Sequence, residues 1–292
     1  MKPIKIAVAS GKGGTGKTMV ATSLAASIQS QTPVQFLDCD VEAPNAHLFL
    51  KPEIYQTDAA VIRVPVIDHH ACTACGICVQ GCEFNALAKL KGKIIVFPQL
   101  CHGCGSCTRL CPEGAIHEEP REIGTLSIGV TDTGMKYFGG KLTISEPMPT
   151  PIIRQLKHKV EYEADSLSIL DSPPGASCPV VATVHDADFV LLVTEPTPFG
   201  LHDLKQMLGV LSQTGSPGGV IINRDGIGDD RIEDYLKGTP YSILMRIPFQ
   251  RNIAVGLAQG ELLTDWLPEY KHQFQELFRI IMQVIKGEMI SL

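Results

Sequence analysis

Short apolar runs alternate with helix-like stretches along most of the chain, and one long interval breaks the alternation. "IKIAVA" (4–9) is apolar without a polar face, as a strand buried on both sides of a parallel sheet requires. It runs directly into the glycines of "SGKGGTGKT" (10–18). From Gly16 to about Ser30 the residues are mostly Ala, Ser, Thr and Leu with no proline, which predicts a helix packed on the sheet. "VQFLDCD" (34–40) predicts a second buried strand that ends in two aspartates. Strand-like runs return at "LSILD" (167–171), "FVLLVT" (189–194), "GVIIN" (219–223) and "ILMRIP" (243–248), with a helical stretch over 201–212. The pattern predicts an α/β fold with a doubly wound, mostly parallel sheet.

The alternation stops over 66–116, and this interval holds eight of the ten cysteines. Cys72, Cys75, Cys78 and Cys82 recur at Cys101, Cys104, Cys107 and Cys111, each displaced by 29. Their surroundings repeat as well: "VIDHHAC" matches "VFPQLC", and "CEFNAL" matches "CPEGAI". Two copies of one half-module are the natural reading. The expected organisation is a first part of the large domain over 1–58, a small α+β insert over 59–120, and the remainder of the large domain over 121–292.

Composition narrows this picture. Of 292 residues, 44% are hydrophobic and 19% charged, enough for a sizeable core and against wholesale disorder. A net charge of −6 argues against a dedicated nucleic-acid partner. There is no run of 18 apolar residues, so no stable membrane insertion is expected. The first apolar stretch is too short for a signal-peptide core, which predicts a cytoplasmic protein. Cysteines there read as metal ligands more readily than as disulfides. Only Cys39 and Cys178 lie outside the cluster.

Gly11-x-x-x-x-Gly16-Lys17-Thr18 fits a phosphate-binding loop. Backbone N–H groups of Gly11, Gly13, Gly14, Thr15 and Gly16 are free to turn towards phosphate oxygens, and the helix that follows offers its positive end. Lys17 neutralises the β- and γ-phosphates of ATP, and Thr18 ligates Mg2+. That leaves Lys12 without a role.

"GKGGTGKT" resembles the deviant phosphate loop of the MinD/ParA/nitrogenase-iron-protein ATPases. The resemblance implies that Lys12 crosses a dimer interface to the partner's ATP, in an ATP-dependent homodimer or a heterodimer with a paralogue. An ordinary exposed lysine is the alternative. It further implies that Asp40 positions the attacking water, that Asp38 lies nearer the metal, and that "LDSPPG" (170–175) is the second switch. There Asp171 would hold Mg2+ through water and Gly175 would offer backbone to the γ-phosphate. Turn or capping aspartates are the alternative for Asp38 and Asp40. Asn223 in "IINR" matches the family's purine-reading asparagine, or is a turn residue. Cys178 follows Asp171 at the offset of the nitrogenase iron protein's cluster ligand. It is then a transient metal site, a docking thiol or a disulfide-forming pair facing its symmetry mate, or else a buried packing residue.

C-x2-C-x2-C-x3-C occurs twice, and the second copy ends in Cys111-Pro112. This is the bacterial ferredoxin pattern, in which the fourth cysteine of each copy serves the other cluster. Cys72, Cys75, Cys78 and Cys111 would then hold one 4Fe–4S cluster, and Cys101, Cys104, Cys107 and Cys82 the other. Paired zinc sites are the competing reading. Glu83 stands where proline is usual and would lower the potential of a nearby cluster. His69, His70 and His102 read as surface or hydrogen-bonding residues, since eight cysteines suffice.

The whole resembles a branch of the MinD superfamily with an inserted two-cluster ferredoxin. "VTEPTPFGLHDL" (193–204) and "IPFQRNIAVGLAQG" (247–260) extend the resemblance, while 121–165 carries no evident chemistry. The implied function is an ATP-hydrolysing protein whose dimerisation is coupled to electron transfer, working with a redox or cofactor-assembly partner. The alternatives are a scaffold or carrier for metal cofactors and a positioning ATPase. The C-terminal "HQFQELFRIIMQVIKGEMI" places Phe274, Leu277, Phe278, Ile281 and Val284 on one face. Its polar face mixes Glu276 and Glu288 with Arg279 and Lys286, which favours packing on the core over membrane binding.

Overall fold

The structure, a computed structural model, describes residues 3–160 and 166–287. The strands are β1 (Ile4–Ser10), β2 (Val34–Asp38), β3 (Glu53–Ile67), β4 (Leu87–Leu90), β5 (Lys93–Val96), β6 (Ile116–Val130), β7 (Lys136–Leu142), β8 (Leu167–Pro174), β9 (Phe189–Thr194), β10 (Gly218–Asp225) and β11 (Ile243–Pro248). The helices are α1 (Lys17–Ile28), α2 (His47–Leu50), α3 (Ile77–Gln80), α4 (Ser106–Leu110), α5 (Thr150–Lys159), α6 (Cys178–Val184), α7 (Pro198–Thr214), α8 (Arg231–Leu236), α9 (Arg251–Ala258), α10 (Leu263–Trp266) and α11 (Glu269–Lys286).

Nine strands form one sheet in the order β11-β10-β9-β1-β8-β2-β7-β6-β3. From β11 to β7 every pairing is parallel; β6 and β3 close one edge antiparallel. The central strands are buried on both faces because helices cover both. Ala7 and Ala9 of β1 join the core beneath α5, α6, α7 and α8, whereas Ile6 and Val8 join the core beneath α1, α10 and α11. α1 is buried almost all round, which suits its small side chains. α11 lays Phe274, Leu277 and Ile281 into the second core, with Phe278 and Val284 partly buried beside them. Arg279 and Glu276 pair on its outer face. Glu288 lies outside the described residues.

The insert leaves the sheet on a ribbon. β3 and β6 pair antiparallel over nearly their whole lengths, from Glu53↔Val130 to Ile67↔Ile116. β7 accompanies β6 only from Gly124 onward, so the far half of the ribbon stands beyond the sheet. The expected boundaries at 58/59 and 120/121 therefore fall inside continuous strands, where no linker exists. At the ribbon's end the 29-residue repeat is structural: left-handed backbone recurs at Ala74 and Gly103, at Gly76 and Gly105, and at Asn85 and Gly114. α3 and α4 follow the second pair. The insert's own core is small: Leu87, Ile94 and Ile116 with the cysteines Cys78 and Cys107.

The region 121–160 proves to be the seam. Gln155 of α5 accepts the Val61 N–H at 3.1 Å and donates to the Val61 carbonyl at 2.9 Å. Lys159 pairs with Asp58 at 2.7 Å, and the Arg121 guanidinium grips Glu146 through two nitrogens.

Candidate functional site

β1 ends at Ser10 and the chain turns through 11–16 into α1. Close approach dictates two of the glycines. A Cβ at Gly16, where φ is +91°, would stand 2.3 Å from the Asn223 amide nitrogen, and one at Gly11 2.5 Å from the Asp203 Cβ. Lys17 Nζ lies 2.6 Å from Asp171 and 3.7 Å from Asp40. The Thr18 hydroxyl donates to the other Asp171 oxygen at 2.7 Å. Burial works to discharge Lys17, but the carboxylates of Asp171, Asp40 and Asp38 outweigh it and raise its pKa. Burial likewise pushes the Asp40 carboxyl up, against the pull of Lys17.

Asp38 and Asp40 separate. Asp40 lines the cavity above the loop. Asp38 is fully buried and accepts the backbone N–H of Asp40 at 3.3 Å and of Ala46 at 3.1 Å. Burial, then the charge of Asp171, pushes its pKa up to about 8. Asp38 thus shapes the segment that carries Asp40; it is not among the residues that line the cavity, though Lys17 and Asp171 lie within its electrostatic reach.

The cavity encloses about 310 Å3, within the range of small-molecule sites. The phosphate loop forms one end. Pro248, Phe249, Ile253 and Leu257 form an apolar shelf at the other. A nucleotide has this same division, with charge at one end and a flat ring at the other. Asn223 stands between the two, but its amide donates to the Thr15 carbonyl at 2.7 Å and so ties the loop to β10. Gly175, at φ +98°, uses its N–H on the Ser10 carbonyl at 2.9 Å. Thr18 and Asp171 supply the hard oxygen donors that suit Mg2+.

Lys12 lines the same cavity beside the phosphate loop. Its ammonium lies 3.0 Å from Glu195, which also receives Arg224 at 2.5 Å.

In the insert, Cys72, Cys75, Cys78 and Cys111 line one cavity together with Ile67, Ile94 and Ile116. Cys111, Cys72 and Cys75 are the thiols that act on Cys78, while Cys104 and Cys82 act on Cys101, and Cys101 and Cys104 on Cys107. The fourth cysteine of each copy therefore stands with the other copy's three. Backbone N–H groups reach three sulfurs: Ala86 to Cys82 and Ala115 to Cys111 at 3.3 Å, and Gly103 to Cys101 at 3.4 Å. Burial pushes the Cys78, Cys101 and Cys107 thiols up, which favours their protonated form. Among the described residues no three His, Cys, Asp or Glu side chains converge on a single ion. Four-cysteine zinc would require four sulfurs about 2.3 Å from one centre. A cubane takes one cysteine per iron, so its ligands stand farther apart, and the crossed sets fit it better.

His69, His70 and His102 are exposed, and His102 stacks on Phe84 with ring centroids 3.6 Å apart. Glu83 is exposed. Cys39 is fully buried and its thiol is pushed up by that burial, which makes it core. Cys178 is exposed at the start of α6, and this removes the buried packing role for it.

The family described as the CobQ/CobB/MinD/ParA nucleotide binding domain matches residues 6–263. The chain belongs to this family. It is a MinD/ParA-like P-loop ATPase whose sheet carries a ferredoxin-like insertion. It is similar to uncharacterized protein MJ0578 of Methanocaldococcus jannaschii, 31% identical over 97% of this chain and 98% of that one. A shorter stretch, 23% of this chain, is 35% identical to a tetrathionate reductase subunit of Archaeoglobus fulgidus, over 32% of that protein. Among solved structures, the septum site-determining protein MinD of Pyrococcus horikoshii OT3 complexed with Mg-ADP superposes with a TM-score of 0.58. That match covers 97% of this chain and 96% of MinD at 18% identity, and it speaks for the fold. Among the described residues no helix is long and apolar enough to cross a membrane.

For this MinD/ParA-like ATPase the motif reading passed over Glu195, Arg224 and the shelf around Phe249. A general signal marks all three. In an open parallel sheet, ligands gather beyond the carboxyl ends of the strands. Glu195 follows β9, Asn223 and Arg224 lie in the last three residues of β10, and Phe249 follows β11.

Proposed function

We propose that the protein binds and hydrolyses ATP in a two-chain assembly and couples that cycle to electron transfer through two 4Fe–4S clusters in the insert. Lys17 would neutralise the phosphates, and Thr18 and Asp171 would hold Mg2+. Asp40 would accept a hydrogen bond from the attacking water, and Lys12 would reach the partner's nucleotide. The two crossed cysteine sets would hold the clusters, which when bound supply one-electron chemistry.

The observation that carries the coupling is the seam. The Asp171 strand β8 leads into α6. Lys157 of α5 donates to the carbonyls at the end of α6: Ala182 at 3.0 Å, Thr183 at 3.2 Å and His185 at 2.6 Å. Two residues earlier, Gln155 holds the ribbon at Val61. One helix thus touches both the segment after the nucleotide switch and the root of the insert. A passive tether would need neither contact.

A second reading, a scaffold or carrier ATPase for metal cofactors, is favoured by the exposed Cys178 beside the switch. Anaerobic protein is expected to hold about eight iron atoms with matching acid-labile sulfide. Two zinc ions without sulfide would end the cluster reading. Cluster transfer to an apo-protein, lost in Cys178→Ser, would favour the carrier.

A further inference from the structure

Lys12 is not a free exposed lysine in the single chain. Its carbonyl accepts the Ser10 hydroxyl at 2.8 Å, which fixes its backbone, and its ammonium sits on Glu195 at 3.0 Å. Glu195 is the rigid member of the pair: its side chain is 6% exposed, against 34% for Lys12. Its carbonyl accepts the Thr197 N–H at 2.8 Å. A Cβ at Gly200 would stand 2.1 Å from that carbonyl, so α7 is packed hard against it. The second cation, Arg224, spans from Glu195 to the Gly14 carbonyl at 3.1 Å and ties the carboxylate to the phosphate loop.

We infer that Glu195 is the latch that holds Lys12 within its own chain until a second, ATP-loaded chain offers a phosphate in exchange. The inference rests on Lys12 acting across a dimer. When Lys12 leaves, Glu195 keeps Arg224 but the lysine loses its own partner, so its ammonium moves most readily to a replacement anion. A partner's triphosphate is such an anion. A diphosphate offers less charge, and the latch then keeps the lysine. Glu195 is a positioning residue in this scheme: it touches no phosphate, and it sets a threshold for dimerisation and the preference for ATP over ADP.

The test is the concentration of half-dimerisation, measured by light scattering with a non-hydrolysable ATP analogue and with ADP. In Glu195→Gln the threshold with the ATP analogue should fall about fivefold, the worth of one partly exposed ion pair. The preference over ADP should shrink. Glu195→Asp, which retracts the carboxylate without removing its charge, should move the same way by less and serves if Glu195→Gln does not fold. General structural damage would raise the threshold, so the sign separates a latch from a scaffold. An unchanged or higher threshold in a folded variant overturns the latch. Lys12→Ala distinguishes the two ideas. If it dimerises as the wild type does, the across-dimer role fails and the latch with it. If it fails to dimerise while the Glu195 variants behave as wild type, only the latch is lost.

Discussion

The nucleotide site and the cysteine insert draw on the chain in opposite ways. The nucleotide site gathers Lys17, Asp40, Asp171, Asn223 and Phe249 from strand ends far apart in sequence, and the large cores on both faces of the sheet hold those ends in place. The insert gathers all eight of its cysteines from one short stretch. Its own core is three aliphatic side chains and two cysteines. One region has packing to spare and builds its charge cluster on it: Asp171 and Asp40 hold the buried Lys17 charged, while burial raises the pKa of Asp38. The other has too little apolar area to stand alone, as small domains do. Its cysteines are part of its core, so under the proposed function metal binding and folding would be one equilibrium there.

The largest expected effect comes from Lys17→Ala. Hydrolysis should fall by at least ~100-fold, as when a preorganised donor to developing charge is removed. Asp171 would also be left buried without its cation, at about 3 kcal/mol of stability. Turnover assays and denaturant melts check both. Iron removal should strike the other region. With a chelator, amides of the insert should exchange at least ~100-fold faster, about 2.7 kcal/mol of lost protection. The amides of β1, β8 and α1 should stay protected. Equal loss in both regions would erase the contrast drawn above.

The pH response belongs to the nucleotide region. Asp38, ordinarily near 3.8, is pushed up to about 8 in the folded chain. An acid with a raised folded pKa favours the folded state while protonated. That contribution is complete below the unfolded pKa and is lost as pH rises towards 8. Thermal melts should therefore weaken between pH 5 and 8, and Asp38→Asn should flatten the slope. The smallest effect sits at the seam. Gln155→Leu removes two hydrogen bonds to Val61 and should cost about 1–2 kcal/mol. If the seam couples the regions, this variant should also weaken any redox dependence of turnover while leaving the iron content unchanged.

The sequence made legible whatever is written in consecutive residues. The phosphate loop, the all-apolar central strands and the cysteine repeat fall in this group, because one local rule governs each. The ribbon was not legible. β3 alternates over its middle, with Ala60 and Ile62 buried between exposed neighbours, and its first residues include the exposed Ile54 and Tyr55. A half-buried edge strand lacks the continuous apolar run that marked the others. Hence the insert appeared to start where the strand was already under way. The family resemblance separated Asp38 from Asp40, but the hydrogen bonds by which Asp38 holds the Asp40 and Ala46 N–H groups emerge only from the fold of 39–46. Glu195 and Arg224 meet across two neighbouring strand ends, and no spacing rule joins them.

The central claim is that the nucleotide cycle and the insert act as one device. ATP turnover of the same iron-quantified, anaerobic sample, first with the clusters oxidised and then reduced, tests it most directly. The rates should differ at least ~5-fold between the two redox states, about 1 kcal/mol of coupling between the regions. Equal rates, in a sample carrying its full iron and sulfide, would contradict it.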